Sequence, residues 1–402
     1  MSSTRSRPLA GWLAVISVTA GIFAVVTTEI LPIGLLTTIG GDFGISSGAA
    51  GLTMTMPGIV AAIAAPLVTA ATGRFDRRIM LCAFMLLLAL AGFLAAVATA
   101  YWVLLAARIL VGVTIGGFWS VGAGLAPRLV GRRSATTATA VIFSAVPLGS
   151  VLGVPAGTFI GHLAGWRTAM VVLGILSLAV FTALIALTPP LPAEGGATNR
   201  AVLADLLRRK GIRAGLLVTF LIVLAHFGTY TYVTPFLRDQ GVGDGPVGTL
   251  LLVYGAAGVA GNFLAGAAIA RGFRATFAAA AGTIGLATAL LPLFGSWLPG
   301  TVAALVIWGL AYGAVPVCSQ TWFARAAPDA PEAATVLFTS SFQATISVGA
   351  LLGGLLVDAS SAATVMVAGG VVAGSGVLGV LGSGWPGRVR QPVAAGHSHR
   401  TP

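Results

Sequence analysis

The chain has 402 residues, of which 57% are hydrophobic and 8% are charged, whereas an ordinary soluble domain has about 25% charged residues. So few charges exclude a soluble globular protein, and 55 glycines among long apolar blocks are typical of closely packed membrane helices. The net charge of +12 does not indicate nucleic acid, because the basic residues lie between the apolar blocks, where they favour contact with anionic membrane lipids.

Long apolar blocks separated by polar residues predict twelve membrane-spanning helices. The first block is too long for a signal peptide and has no small-residue cleavage site after it, so we expect it to remain as the first span. In chain order, the predicted spans are 12–36, 48–71, 79–99, 102–126, 136–160, 168–188, 214–237, 247–270, 275–295, 301–324, 334–357 and 362–384.

The basic residues predict the orientation of these spans in the membrane. With the N-terminus placed in the cytoplasm, nearly all of the 22 Lys and Arg residues fall on the cytoplasmic side. Arg167 and Arg238 fall on the outer side, and Arg108 lies within a span. Both termini are therefore predicted to be cytoplasmic.

The longest connection, 189–213, divides the spans into two groups of six. The groups resemble each other weakly, and two similar six-helix halves are typical of a transporter that rocks about a central site. The connection ends in a short basic amphipathic stretch, which we expect to lie at the inner membrane surface. The predicted organisation is a cytoplasmic segment 1–11, a first half 12–188, a linker 189–213, a second half 214–384 and a disordered tail 385–402.

Two charged residues are predicted to lie inside the membrane. Glu29 interrupts an otherwise uncharged apolar block, and a charge at that depth costs about 2.5–3.5 kcal/mol, so it usually has a function. Glu29 and Arg108 both come out about 10 Å below the outer face, on helices that run in opposite directions. If these two helices adjoin, the residues can pair or share water, and both are candidates for the proton coupling. The alternatives are a static structural pair, or a Glu29 side chain that reaches out to water.

Several aromatic and polar side chains are candidates for substrate contact, although aromatic residues more often serve only for packing. His226 and Tyr230 are one helical turn apart, and Trp308 and Tyr312 repeat this spacing in a later span. Gln343 is expected to make an ordinary interhelical hydrogen bond, and Asp358 is expected to be solvated at the end of its span. The candidate substrate-binding residues are Trp119, His226, Tyr230, Trp308, Tyr312 and Gln320.

No arrangement of residues in the sequence indicates an enzyme. The phosphate-binding loop of an ATPase is missing, and His and Cys residues do not occur at the spacing of metal ligands. We therefore predict neither a catalytic site nor a cofactor nor a metal.

Three segments together resemble the major facilitator superfamily, in its drug:proton antiporter group. They are Thr28–Leu36 in the first span, Arg108–Ser120 in the fourth and the Gly- and Pro-rich run Gly149–Gly161 in the fifth. The resemblance implies an all-α membrane protein with twelve transmembrane helices in two pseudo-symmetric halves. It also implies that spans one, four, seven and ten line the central cavity. The residues that match the antiporter motif are Gly149, Gly153, Pro155, Gly157 and Gly161.

The loop between the second and third spans departs from the family pattern. Gly73 stands where the family has an aspartate, and Asp76 stands near the second glycine position. The basic residues Arg74, Arg77 and Arg78 remain. These three and Asp76 form the candidate gating loop, but the ion-pair gate of the family cannot be assigned to Asp76 from the sequence.

The resemblance implies a monomeric, multi-pass exporter in the inner membrane of a bacterium. We expect it to exchange protons for a small apolar or amphiphilic, drug-like compound. The alternatives are an exporter of sugars or nucleosides, and a membrane sensor or assembly factor that transports nothing. An importer is disfavoured by the motif in the fifth span.

Overall fold

The computed structural model describes residues 8–71, 75–122, 124–131, 133–192, 200–295 and 297–383, and this part of the chain is helical. A π-helical turn, Gly149–Gly153, separates α7 from α8. The helices are α1 (Pro8–Ile30), α2 (Pro32–Phe43), α3 (Ser47–Ala71), α4 (Arg77–Ala96), α5 (Tyr101–Gly122), α6 (Ala126–Val130), α7 (Ala135–Leu148), α8 (Val154–Ala164), α9 (Trp166–Leu187), α10 (Arg200–Arg208), α11 (Lys210–Tyr230), α12 (Val233–Asp239), α13 (Asp244–Phe294), α14 (Leu298–Ala326), α15 (Pro331–Ala359) and α16 (Ala362–Gly382).

Eleven helices in the described part of the chain are long and apolar enough to cross a membrane. The difference from the twelve predicted spans arises in α13, which is continuous over 51 residues and contains the predicted spans 247–270 and 275–295. Its backbone is extended rather than helical at Gly272. Gly295, just beyond its end, packs against Gln240, which lies just before its start. The helix therefore folds back on itself at Gly272.

The first predicted span is broken in two and ends later than expected. Residues 12–36 were predicted as one helix, but α1 ends at Ile30 and α2 continues to Phe43. Pro32 has no N–H group and cannot donate to the carbonyl group of Thr28, which explains the break between the two helices. The fifth predicted span is likewise divided by the π-helical turn, and the seventh between Tyr230 and Val233.

We refer to α1–α9 as the first half and to α11–α16 as the second half. Two apolar cores fill the bundle, one around Ile22, Met85 and Phe118 and the other around Phe236 and Trp308. The second core also contains Ile33, Met54 and Val154 of the first half. They meet where α3 packs on α15, where α8 packs on α13 and where α2 packs on α12. We call the α3–α15 contact the seam.

The helix ends define two faces of the bundle. We call one face of the bundle the basic face, because the helix ends there carry Arg77, Arg128, Lys210 and Arg325. We call the other face, where Asp42 lies, the opposite face. Contacts between the halves lie in the part of the bundle toward the opposite face. There, Thr234 donates to the Ile33 carbonyl oxygen over 2.9 Å.

Candidate functional site

Arg108 lies at the break between α1 and α2 and is 2% exposed. Its guanidinium group makes three hydrogen bonds to backbone oxygens of two other helices. Nη1 donates to the Thr28 oxygen at 2.8 Å and Nη2 to the Glu29 oxygen at 2.9 Å, both near the end of α1. Nε donates to the Thr53 oxygen of α3 at 2.7 Å. The side chain therefore joins α1, α3 and α5.

The sequence explains why a guanidinium group fits this position. The last carbonyl groups of any helix lack partners within the helix, and Pro32 removes the donor that Thr28 would otherwise have had. A cation is also favoured at a helix C-terminus by the helix dipole. The structure thus brings Arg108 to Glu29, as the sequence predicts, but through the Glu29 backbone oxygen.

Glu29 is 7% exposed, and its carboxyl group lies beside a residue of the second half. Its polar neighbour is the side-chain amide of Gln343 in α15, and Arg108 and Tyr312 are close enough to interact with it electrostatically. Because α2 runs on to Phe43, Glu29 lies about 20 Å from the end of α2. Gln343, expected to make only an ordinary interhelical hydrogen bond, is thus a neighbour of the buried acid.

Five rings of the second half form an aromatic cluster, which consists of His226 and Tyr230 of α11, Tyr254 of α13, and Trp308 and Tyr312 of α14. His226 and Tyr312 stack with 3.3 Å between ring centroids and 7° between planes. Tyr230 and Tyr254 stack at 4.6 Å. Trp308 meets His226, Tyr230 and Tyr254 edge-on. Four of the five rings are close to parallel and stack on one another, and the cluster reaches Glu29 through Tyr312.

Hydrogen bonds determine the protonation state of His226, which is 1% exposed. Trp308 Nε1 lies 3.2 Å from Nδ1 of His226, and an indole N–H can only donate. Nδ1 must therefore be an unprotonated acceptor. The neutral ring then carries its proton on Nε2, which lies 3.5 Å from the Tyr254 hydroxyl oxygen. This arrangement fits a neutral, hydrogen-bonded histidine.

Sequence reasoning missed Tyr254, although a signal was available. The chain has five tyrosines, and three of them belong to this cluster. Trp119 and Gln320 lie outside the cluster. Trp119 is half-buried against Phe143 at 6.0 Å, and Gln320 is exposed near the basic end of α14.

The glycines of the fifth-span motif form a stripe along α7, the π-helical turn and α8. A methyl group at any of them would collide with α1 or α2, since their neighbours lie within 3.0 Å of such an atom. The stripe thus lets the broken first span cross span five closely. The pairs are Gly149 with Val26, Gly153 with Thr27, Gly157 with Leu31 and Gly161 with Leu35.

The other side of the same motif faces the second half. Gly255 of α13 packs against the backbone of Val151, and Gly248 packs near the carbonyl oxygen of Pro155. Pro155 cannot donate to Val151, the residue four positions earlier, and a missing donor of this kind is a common cause of local distortion in a helix. The motif therefore lies between the broken first span and α13.

A family comparison identifies the architecture. The family model described as Major Facilitator Superfamily matches residues 16–338. The chain belongs to the major facilitator superfamily. This confirms the family resemblance of the sequence motifs and makes the chain a transporter rather than an enzyme.

Individual superfamily relatives carry two different names. The chain is 33% identical over 351 residues to the "Transcription regulatory protein OpdE" of Pseudomonas aeruginosa, covering 86% of this chain and 87% of that protein. It is 32% identical over 354 residues to the "Purine ribonucleoside efflux pump NepI" of Escherichia coli (strain K12), covering 88% and 89%.

A solved superfamily structure has the same fold. The human organic anion transporter MFSD10 (TETRAN) superposes with a TM-score of 0.67, covering 92% of this chain and 99% of that chain. The two sequences are 18% identical, so the likeness concerns the fold alone.

The altered loop of this superfamily member has a structural role. Asp76 caps α4 by accepting from the Arg78 backbone N–H at 2.8 Å, and it also accepts from the Leu191 N–H at 3.0 Å. Arg77 N–H donates to the Leu191 oxygen at 2.8 Å, and the Arg78 side chain donates to the Ile185 oxygen. Asp76 and Arg77 thus hold the start of the linker, and Arg78 holds the end of α9. Arg74 lies outside the described residues.

Proposed function

We propose that the protein is a proton-coupled exporter of a purine-nucleoside-type compound in the inner membrane of a bacterium. It works as a monomer with twelve crossings, both termini in the cytoplasm and 189–213 as the linker between two six-helix halves, while segments 1–11 and 385–402 lie outside the membrane. The fold-back of α13 at Gly272 supports the twelfth crossing.

The observation that carries the proposal is the position of the Glu29 carboxyl group between the halves. An ionised carboxylate in such a place needs a donor or water, whereas the protonated acid is far cheaper to bury. Gln343 of the second half is near enough to act as that donor. A proton on Glu29 therefore changes the interaction between the halves, which is the link that proton-coupled exchange requires.

The aromatic cluster supports a planar substrate. A purine base has two π faces, and stacking a base on an aromatic side chain contributes about 1–3 kcal/mol. A sugar without a base has no such face. The name of the Escherichia coli relative points to the same class, so we prefer a nucleoside to the apolar, drug-like compound that the sequence alone favoured.

The present conformation fits entry from the basic face. The halves touch through Ser46 and Asp358 and through Thr234 and Ile33, all toward the opposite face. Nearer the basic face, Ser120 and Gln320 are exposed. A substrate in the cytoplasm would reach the cluster from this side.

The proposal is tested in proteoliposomes with a radiolabelled purine ribonucleoside and an imposed pH gradient. We expect uptake driven by the proton gradient, and release of protons when the nucleoside is added to purified protein. The Glu29→Gln variant should lose both, while the Asp42→Asn variant, altered at an exposed carboxyl group, should retain both. Proton-driven uptake that survives in Glu29→Gln contradicts the assignment of Glu29.

A second candidate function is suggested by the name of the Pseudomonas relative. A membrane sensor on this fold would bind its ligand without moving it. In that case, nucleosides would raise the thermal stability of the protein, but neither uptake nor proton release would follow. Measuring stabilisation and uptake on the same preparation separates the two functions.

A further inference from the structure

Asp358 connects the two halves at the opposite face. It lies at the end of α15, and its Oδ2 accepts from the Ser46 hydroxyl group at 2.5 Å. Its Oδ1 accepts from the Gly48 backbone N–H at 2.8 Å. Ser46 also caps α3, because its Oγ accepts from the Ala49 N–H at 3.0 Å. The sequence suggested only a solvated carboxylate here, whereas both oxygens bind the other half.

The seam behind Asp358 is closely packed. Gly354 of α15 and Gly48 of α3 lie backbone to backbone. A side chain at Gly48 would collide with the Gly354 oxygen, and one at Gly354 would collide with the Tyr232 hydroxyl group and press on the Gly48 oxygen. One helical turn further in, the Tyr232 ring packs against Gly51, and its hydroxyl group donates to the Ala350 oxygen at 2.7 Å. The two Asp358 hydrogen bonds therefore exist only while this end of the seam is closed.

We propose that Asp358 is a positioning residue for transport, which holds the opposite face closed until the loaded halves rock. A carboxylate suits this role, because it accepts two hydrogen bonds at once and is favoured at the N-terminus of α3 by the helix dipole. The inference rests on the rocking cycle of the proposed function, but on neither the substrate nor Glu29.

Asp42, a second carboxylate on the same face, differs from Asp358 because its ion pair stays within one half. Asp42 lies on the same face and forms an ion pair with Arg167, but both residues belong to the first half. Arg167 holds the pKa of the Asp42 carboxyl group below its usual range. Breaking that pair leaves the contact between the halves unchanged. Asp42→Ala is thus a matched control for Asp358→Ala.

The test measures distances between spin labels by double electron–electron resonance in purified full-length protein without substrate. Labels at Gly41 and Ser360 report on the opposite face, and labels at Gly124 and Ala324 report on the basic face; all four positions are exposed. Cys82 and Cys318 are buried and would be replaced by alanine. The first pair should lengthen, and the second pair shorten, when the opposite face opens.

Ser46→Asp is the most informative variant. Aspartate still caps α3, but it places a second carboxylate beside Asp358, so the population open at the opposite face should rise about tenfold or more. Asp358→Ala should act in the same direction, and Asp42→Ala should leave both distances unchanged. The double variant Ser46→Asp, Asp358→Ser exchanges the two side chains across the seam and should return the distribution toward that of the unaltered protein.

The outcomes separate this inference from the proposed function. Unchanged distance distributions in Ser46→Asp and Asp358→Ala would overturn it, and so would a double variant as open as Ser46→Asp alone. Transport adds an independent readout, since a positioning role predicts a lower maximal rate with little change in KM. If the distances shift as expected while nucleoside transport is absent, the proposed substrate is wrong and the inference stands.

Discussion

The two halves contain corresponding helix breaks but use them differently. In the first half, α1 breaks at Leu31, and a guanidinium group from α5 binds the carbonyl oxygens there. In the second half, α11 breaks after Tyr230, and the residues before the break belong to the aromatic cluster. The breaks touch each other, since Thr234 donates to the Ile33 oxygen.

Because the two breaks carry different side chains, we assign proton exchange to the first half and substrate binding to the second half. The first half holds a buried acid and a cation, so its site can respond to a proton. The second half holds stacked rings around a histidine that accepts a hydrogen bond from an indole, so its site can respond to a flat ligand. In the proposed cycle, the contact between the breaks is where the two sites would influence each other.

Removal of Arg108 has the largest expected effect. Arg108→Met leaves the oxygens of Thr28, Glu29 and Thr53 buried without this donor, and each such group costs about 1–3 kcal/mol. We expect the free energy of unfolding in detergent to fall by about 3 kcal/mol or more, with loss of transport. Arg167→Met, at an exposed position, should cost less than about 1 kcal/mol. Equal losses in the two variants would contradict the special role given to the buried Arg108 hydrogen bonds at the first break.

The second largest effect is expected in the glycine stripe of span five, which packs against the break between α1 and α2. Gly157→Ala places a methyl group against Leu31, and such overpacking costs about 1–3 kcal/mol. The matched control is Gly266→Ala in α13, where no described atom lies within 4 Å of the new methyl group. The control should gain about 0.5–1 kcal/mol, because alanine favours a helix more than glycine does. Thermal unfolding of both variants checks the difference.

Much of the first half could be predicted from the sequence, because its signals are local. A charge in an apolar block, its depth and a proline four residues after Thr28 all lie within a few positions of one another. The prediction that Glu29 meets Arg108, 79 residues further along the chain, came from their matching depth on helices of opposite direction. The local signals did not show that the guanidinium group binds backbone oxygens, although Pro32 frees one of them.

The contacts between the halves could not be predicted in this way. Gln343 is more than 300 residues from Glu29 along the chain, and Asp358 is equally distant from Ser46. Hydropathy gives the depth of a residue but not the direction in which its side chain points. The length of α2 beyond Leu36 was missed because Gly40 and Gly41 resemble the end of a helix.

A smaller loss of stability is expected from a substitution in the aromatic cluster of the second half. Trp308→Phe keeps a ring in the cluster but removes the N–H that binds His226, so stability should fall by about 1 kcal/mol. Trp322→Phe removes a comparable donor, which binds the Gly211 oxygen over 2.8 Å outside the cluster. Both variants should lose stability, but only Trp308→Phe should weaken nucleoside binding in a titration. Equal affinities would contradict the assignment of the cluster to the substrate.

The smallest effect is expected for an ion pair of the linker, which lies outside both the Glu29 site and the aromatic cluster. Arg209 follows α10 and binds Asp329, with Nη1 to Oδ1 at 2.6 Å and Nη2 to Oδ2 at 2.8 Å. This contact lowers the pKa of Asp329 from 3.8 to about 2. A lowered pKa in the folded state stabilises the attachment above the unfolded value, and that contribution is lost as the pH falls toward the folded value. Both side chains of this pair are largely in water, so salt should weaken it.

Hydrogen exchange of the α10 amides measures this attachment directly. At neutral pH, Asp329→Asn should lower their protection by a factor of about three or less, the size of an exposed ion pair. Between about pH 4 and pH 2, the unaltered protein should approach the variant, because Asp329 becomes protonated there. Transport should be unaffected by the substitution, since Arg209 and Asp329 lie outside both the aromatic cluster and the seam. A large loss of transport in Asp329→Asn would mean that the linker joins the two halves functionally as well as covalently.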